Sequence, residues 1–208
     1  MKTSVLILAA GPYRHGWTEK APKHLALIAG EPLILRTLRQ LKKRGHDENV
    51  IVVTHNKAIQ AVVPRYFDPP LHAEWSETLL ATRELWQERT ITFNGDTIFS
   101  PLIMDKILAS QDSIMFYGRD WVHKEAMVFT SEKQKAVVEA ALATIAAKVG
   151  FNLFYCMMCG LKFLEMKRAW CKEYHQVTHD YTFDIDSPER YKQFLSKHKW
   201  ARNPKRAN

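Results

Sequence analysis

Two rhythms of apolar residues alternate along the first half of the chain. Ser4 to Ala9 is a continuous apolar run of the kind a strand buried on both faces requires. His24 to Ile28 reads as a short strand. Pro32, placed in a first helical turn, opens a helix to about Arg44, where Leu35, Leu38 and Leu41 share a face, Arg36, Arg39, Lys42 and Lys43 decorate the rest, and Gly45 ends it. Asn49 to Thr54 is the next strand, followed by a helix near Lys57 to Val63. Ser76 stands before an apolar run and caps a helix to about Trp86. Thr90 to Asn94 is a strand that leads into Gly95-Asp96. Beyond it, Ser113 to Tyr117 and Ala126 to Phe129 read as strands, Ser131 to Lys148 as a helix, Phe151 to Met158 as a strand and Leu161 to about Glu173 as a helix.

This rhythm predicts an α/β protein: a three-layer α/β/α sandwich around a mixed, mainly parallel sheet. Such sheets bind ligands beyond the carboxyl ends of their strands. Gly11 and Asp96 both follow strands, so they can converge although 85 positions separate them. No internal repeat, low-complexity stretch or linker interrupts the chain. Its 208 residues fit one domain over 1–198, with a basic tail at 199–208.

Composition narrows the classes further. No stretch approaches the roughly 18 consecutive apolar residues of a membrane span. The start, Met1-Lys2-Thr3-Ser4-Val5, lacks the apolar core of a secretory signal, so a cytoplasmic setting is expected. Three cysteines do not suggest a disulfide framework. The net charge of +8 is uneven: Lys+Arg against Asp+Glu stand at 11 to 5 over residues 1–70, 8 to 11 over 71–160 and 11 to 6 over 161–208. Basic ends around a more acidic middle suit polyanionic substrates. The tail Lys197 to Arg206 reads as a solvated terminus rather than a nucleic-acid contact.

The chemistry begins at Leu8-Ala9-Ala10-Gly11. A strand delivers a turn at which the backbone can approach an anion closely, and Arg14 and Lys23 stand in the same loop. Backbone amides supply geometry and the two cations supply charge, which is how proteins grip polyphosphate. A dinucleotide-binding turn would need a middle glycine that Gly11-Pro12-Tyr13-Arg14-His15-Gly16 lacks, and a Walker loop would need Gly-Lys-Ser/Thr.

Leu8, Ala9, Ala10, Gly11, Arg14, Pro22, Lys23, Gly30, Pro32 and Leu33 together resemble the signature of the nucleotidyltransferases, the family of sugar-nucleotide pyrophosphorylases, molybdenum-cofactor guanylyltransferase and small-molecule cytidylyltransferases. Tyr13, preceded by Pro12, replaces the family's second glycine. The resemblance implies a nucleotide-diphospho-sugar transferase-like fold, with the nucleotide in about residues 1–100 and the acceptor in about 101–198. It implies transfer of an NMP group from an NTP to a small phosphorylated acceptor, with release of pyrophosphate. Lys23 and Arg14 would be the catalytic cations, and Leu8 to Gly11 would cradle the triphosphate. Ser76 and Thr78, where relatives read base and ribose, would be nucleotide-binding, with Trp75 able to stack.

Phosphoryl transfer brings anions together and calls for Mg²⁺ held by carboxylates. Asp96, at a strand end beside Gly95, is the first ligand position and resembles the family's Gly-Asp metal site. Asp186, before Ser187-Pro188-Glu189, resembles the family's closing carboxylate, with Asp184 a weaker candidate; alone, the segment is also a good helix start. Arg119, His123 and Lys124 are candidates for the acceptor's phosphate, with ordinary surface charge as the plainer reading. Cys156 and Cys159, with Cys171 and His175 beyond, have zinc-like spacing, but their apolar flanks read as packed core. Two other classes stay open: a sugar-nucleotide glycosyltransferase using Asp184 and Asp186, and a non-catalytic, basic nucleic-acid-binding relative. The base, the acceptor and the oligomeric state are not set by these patterns.

Overall fold

Each residue of the first strand points alternately into one of two cores. In this computed structural model, which describes residues 1–11, 13, 15–70, 74–119, 124–148, 151–160 and 175–203, β1 (Thr3–Leu8) runs through the middle of the molecule. Val5, Ile7 and Ala9 enter one core while Leu6, Leu8 and Ala10 enter the other. This is why the run is apolar throughout rather than alternating.

The chain continues through β2 (Leu27–Ile28), β3 (Glu31–Pro32), α1 (Leu33–Lys42), β4 (Val50–Val53), α2 (Lys57–Gln60) and β5 (Tyr66–Phe67). Then follow α3 (Trp75–Ala81), β6 (Arg89–Asn94), β7 (Thr97–Ile98), α4 (Pro101–Ala109), β8 (Ile114–Gly118) and β9 (Lys124–Thr130). The last elements are α5 (Gln134–Ala146), α6 (Phe151–Met158), β10 (His175–Val177), β11 (Phe183–Asp184) and α7 (Pro188–Lys197).

The main sheet has the order β10-β8-β9-β6-β1-β4-β5, with β9 antiparallel to both neighbours and every other pairing parallel. α1, α2 and α4 cover one face through Ile34, Leu41, Ile59, Ile103, Met104 and Ile107. α3, α5 and α6 cover the other through Leu79, Val137, Ala140, Phe154 and Tyr155. The α/β/α architecture with a mixed, mainly parallel sheet is as expected.

Several local expectations are corrected. Phe151–Met158 is a helix, not a strand. Its apolar run contains no β-branched residue, and Tyr155 and Cys159 lie one turn apart, with the Cys159 N–H donating to the Tyr155 carbonyl at 3.0 Å. His24 to Ile28 splits into a 3₁₀ turn, Lys23–Leu25, and the two-residue β2. The helix expected from Ser76 begins at Trp75, with Glu74 as its N-cap residue and Glu77 accepting the Glu74 N–H at 3.0 Å. Arg36, assigned to a solvated face, is buried with its guanidinium 5.1 Å from the Trp200 ring centre. The helix expected over Leu161 to Glu173 lies outside the described residues.

A third, smaller core gathers Ile28, Leu33, Ile98, Ile185, Phe194 and Ala201. It anchors the late segment that carries Asp184 and Asp186. The segment from Lys199 is not wholly a free tail: Lys199–Arg202 forms a 3₁₀ turn whose Ala201 carbonyl accepts the Ala29 N–H.

Candidate active site

Beyond the carboxyl ends of β1 and β6 lies a cleft of about 340 Å³, walled by Leu8, Gly11, Lys23, Asn94, Asp96 and Asp186. His15, His24, Glu74, Trp75 and Thr78 complete it. β1 delivers Ala9, whose N–H donates to the Val53 carbonyl at 2.8 Å, and then Ala10 and Gly11. A Cβ added to Gly11 would meet nothing within 4 Å, so its backbone faces the open space that a phosphate needs. Tyr13, in place of a glycine, turns aside, and its hydroxyl accepts a hydrogen bond from Asn56 Nδ2. Arg14 lies outside the described residues.

Asp96 reaches the cleft because residue 95 is glycine. A Cβ there would stand 3.0 Å from Ala9 Cβ, His24 Cδ2 and the Leu8 carbonyl, and the Gly95 N–H donates to that carbonyl at 2.9 Å. Asp186 arrives by a separate route. β11 pairs antiparallel with β7, Phe183 opposite Ile98 and Asp184 opposite Thr97, and the Ile185 N–H extends the ladder to the Asp96 carbonyl at 3.0 Å. The Lys23 loop is tied to the same segment, since Trp17 Nε1 donates to the Ile185 carbonyl at 3.1 Å. Ser187 caps α7, accepting the Arg190 N–H at 3.2 Å.

Lys23 sits between the two carboxylates. Its ammonium is paired with Asp96 and lies 3.8 Å from Asp186 Oδ1. Burial works against the ammonium's charge, but Asp96, with Asp186 and Asp184 behind it, raises the Lys23 pKa above the ordinary lysine value. Burial likewise opposes the Asp96 charge, yet Lys23 and His24 hold its carboxyl below the usual range. Both groups are therefore charged at neutral pH. His24 is 2% exposed, its Nδ1 has no hydrogen-bond partner among the described residues, and burial followed by the Lys23 charge pulls its pKa down to about 4.

Thr78 lines the cleft, with its hydroxyl 3.4 Å from the Glu74 carbonyl it donates to. Ser76 does not: it is 1% exposed and its hydroxyl has no partner among the described residues. Trp75 stands on the wall with its Nε1 donating to Asn94 Oδ1 at 3.2 Å and its ring edge-on to Phe154. Asn94, read in the sequence only as the end of a strand and given no role, is the hub here, since its Nδ2 also donates to the Lys124 carbonyl at 2.7 Å. Its place at the end of β6, beside Gly95-Asp96, was the available signal.

Asp184 is not on the cleft wall; Arg119 Nη2 donates to its Oδ1 at 2.7 Å and Arg190 pairs with the same oxygen. Burial, then the hydrogen bond and charge of Asp186, push its carboxyl up to about 7, against the pull of Arg190. Lys124 is buried, 2.9 Å from Asn152 Oδ1 and 4.4 Å from the Tyr155 ring centre, and is not on the cleft wall. Cys156 and Cys159 are buried, and burial raises the Cys156 pKa. His175 has its two ring nitrogens against the Tyr155 hydroxyl at 3.1 Å and the Gly118 carbonyl at 3.3 Å. His123 and Cys171 lie outside the described residues.

No protein-family model matches the chain, and no curated protein matches its sequence. Solved structures do. The CTP:phosphocholine cytidylyltransferase of Streptococcus pneumoniae superposes with a TM-score of 0.61 at 15% identity, covering 95% of this chain and 99% of that one. The chain has the nucleotidyltransferase fold. A CMP:2-keto-3-deoxy-manno-octonic acid synthetase complexed with CTP shares this fold at a TM-score of 0.58 and 12% identity, over 95% and 98% of the two chains. The bifunctional IspDF of Campylobacter jejuni shares it at 0.65 and 13%, with 93% of this chain covering 54% of that one. No helix among the described residues is long and apolar enough to cross a membrane.

Proposed function

We propose that the protein is a nucleotidyltransferase that moves an NMP group from an NTP to a small phosphorylated acceptor and releases pyrophosphate. The observation that carries this reading is Lys23, an ammonium bracketed by Asp96 and Asp186 beneath the open turn at Gly11. The similar structures, which include a cytidylyltransferase and a synthetase complexed with CTP, favour the same chemistry.

The donor set fits Mg²⁺. Asp96 and Asp186 offer hard carboxylate oxygens from two elements, and a single cation, the Lys23 ammonium, already lies within 4.0 Å of both. Mg²⁺ commonly takes one or two carboxylates and completes its shell with water and substrate phosphates. When bound, it would neutralise phosphate charge. The chain's own residues would do the rest. Ala10 and Gly11 would bring the triphosphate close to the backbone, and Lys23 would place a fixed positive charge at the α-phosphate, with Arg14 from the same loop. Thr78 and Trp75 would contact the nucleoside. The acceptor's phosphate oxygen would attack the α-phosphorus as the bond to pyrophosphate breaks, with residues 101–198 supplying the acceptor side through Arg119, while Lys124, buried against Asn152 and Tyr155, stays out of reach.

Asp184 bears on the rival reading. A sugar-nucleotide glycosyltransferase would need both Asp184 and Asp186 for its metal, whereas Asp184 is already held by two arginines, Arg119 and Arg190. NTP chemistry and the free thiol of Cys156 suit a cytoplasmic setting. The leaving group tests the proposal. With Mg²⁺, the four NTPs and a panel of phosphorylated small molecules, pyrophosphate should appear only when an acceptor is present. Release of a nucleoside diphosphate from a sugar nucleotide, with no pyrophosphate from any NTP, would replace this reading with the glycosyltransferase.

A further inference from the structure

A second cleft, of about 600 Å³, opens at the carboxyl ends of β8 and β10. It lies on the same side of the sheet as the first, because β8 and β6 both run antiparallel to β9. Arg119 directly follows β8 and Thr178 directly follows β10, where its N–H donates to the Gly118 carbonyl at 2.9 Å. Arg190 and Lys197 from α7 complete a cationic wall, and His179 lines the cleft beside them. The lining carboxylate, Asp180, is already engaged, accepting the Thr182 N–H at 2.8 Å and the Ser100 hydroxyl.

One polar atom here lacks a partner among the described residues: Thr178 is 3% exposed and its hydroxyl makes no hydrogen bond. Arg119 Nε makes none either, but it lies 3.8 Å from the buried Glu125 carboxylate. A buried donor left unsatisfied is costly, and a ligand oxygen in the cleft would remove that cost. The clefts meet at one short segment: Asp184, which holds Arg119 and Arg190, and Asp186, on the wall of the first cleft, are two residues apart. No more than about 7 Å of chain separates them, a distance one compact small molecule can span. The Phe183 ring on the wall of this cleft already carries the Arg119 and Arg190 guanidiniums at 4.7 and 4.9 Å from its centre. It is not available to cup a cationic ligand.

We propose that this second cleft binds an anionic group, phosphate or carboxylate, at the end of the acceptor remote from its attacking phosphate, so that the preferred acceptor is anionic at both ends. The proposal rests on the nucleotidyltransferase reading for the word acceptor, but the anion site itself does not. Neutral-ended sugar phosphates are the poorer substrates, and phosphocholine-like acceptors are excluded by charge.

The test compares glucose 1-phosphate, glucuronic acid 1-phosphate, glucose 1,6-bisphosphate and phosphocholine as acceptors with Mg²⁺ and each NTP. The expected result is a KM at least about tenfold lower for the two doubly anionic probes than for glucose 1-phosphate, the scale of one charge-assisted hydrogen bond. Comparing the carboxylate with the second phosphate identifies which group the cleft prefers. Thr178→Val and Lys197→Gln should raise the KM of the doubly anionic probes and leave the KM of the NTP unchanged. Equal use of neutral or cationic acceptors, or variants that leave the preference intact, would overturn the proposal. If no pair releases pyrophosphate, the transferase reading fails on its own, and calorimetry with glucose 1,6-bisphosphate decides the site. Binding that survives Lys23→Ala and is lost in Thr178→Val and Lys197→Gln supports the second cleft. No binding, or binding untouched by those two substitutions, refutes it.

Discussion

The backbone N–H of Ile185 donates to the carbonyl of Asp96 at 3.0 Å. This one bond extends the two-residue pairing of β7 with β11 and sets Asp186 beside Asp96, although 90 positions separate them in the chain. If the pair holds Mg²⁺, neither carboxylate can be replaced by an amide without loss. Asp96→Asn and Asp186→Asn should each weaken Mg²⁺-dependent nucleotide binding by about tenfold or more, with Asp96 the more damaging because it is the less exposed. Calorimetric titration of an NTP with and without Mg²⁺ measures this. Overlaying curves for parent and both variants would refute the metal assignment.

Lys23→Ala removes a charge aimed at the transferring group. Turnover should fall by roughly 10²-fold or more at saturating substrate. The substitution also leaves Asp96 and Asp186 without the ammonium they share, so Mg²⁺ should bind the apo-variant at least as well as the parent. A folded variant with parental turnover would remove Lys23 from the chemistry.

The parts of the site that are local in sequence were legible, and the parts made by pairing were not. β1, the turn at Gly11 and the Asn94-Gly95-Asp96 strand end all lie within short windows, where apolar runs and glycines carry their meaning directly. Asp186 was found only through its Ser-Pro-Glu surroundings. The ladder that brings it to Asp96 joins strands of two residues each, too short to leave a periodic pattern. Trp17 was unreadable for a similar reason, since its partner carbonyl lies 168 positions away. Phe151–Met158 was misread because an apolar run of eight suits a buried strand or a buried helix equally, and only its lack of β-branched residues favours the helix. Arg36 obeys helical periodicity and is buried nonetheless, because Trp200, from the far end of the chain, covers it.

Gly11 and Gly95 should respond to alanine in opposite ways. At Gly95 the new Cβ would stand 3.0 Å from the Leu8 carbonyl, Ala9 and His24, so Gly95→Ala should destabilise the fold by about 1–3 kcal/mol. At Gly11 the methyl would enter open space, so Gly11→Ala should unfold with the parent in urea yet bind NTP more weakly. Urea titration and calorimetry together separate the two effects. A Gly11→Ala protein with parental nucleotide affinity would show that the turn does not contact the triphosphate.

His24 predicts a pH dependence of stability. In the fold its pKa lies at about 4, against 6.5 for a free histidine, because burial and then the Lys23 charge oppose protonation. As pH falls through 6.5 the unfolded chain takes up a proton that the folded protein refuses. The contribution of neutral His24 to stability is therefore complete above about pH 6.5, declines below it, and has run its course near pH 4. Over that window the loss amounts to about 3 kcal/mol if nothing else titrates. Carboxylates held below their usual range, such as Asp96, add their own loss only at lower pH. Urea unfolding free energies for the parent and His24→Asn, measured without Mg²⁺ from pH 8 to pH 4, should converge as pH falls, because the variant lacks the His24 imidazole while the other groups that titrate in this window, Asp184 at about 7 among them, are common to both. Parallel curves across the window would mean that His24 is protonated in the folded protein as readily as in the unfolded chain, and would remove it as the source of acid sensitivity.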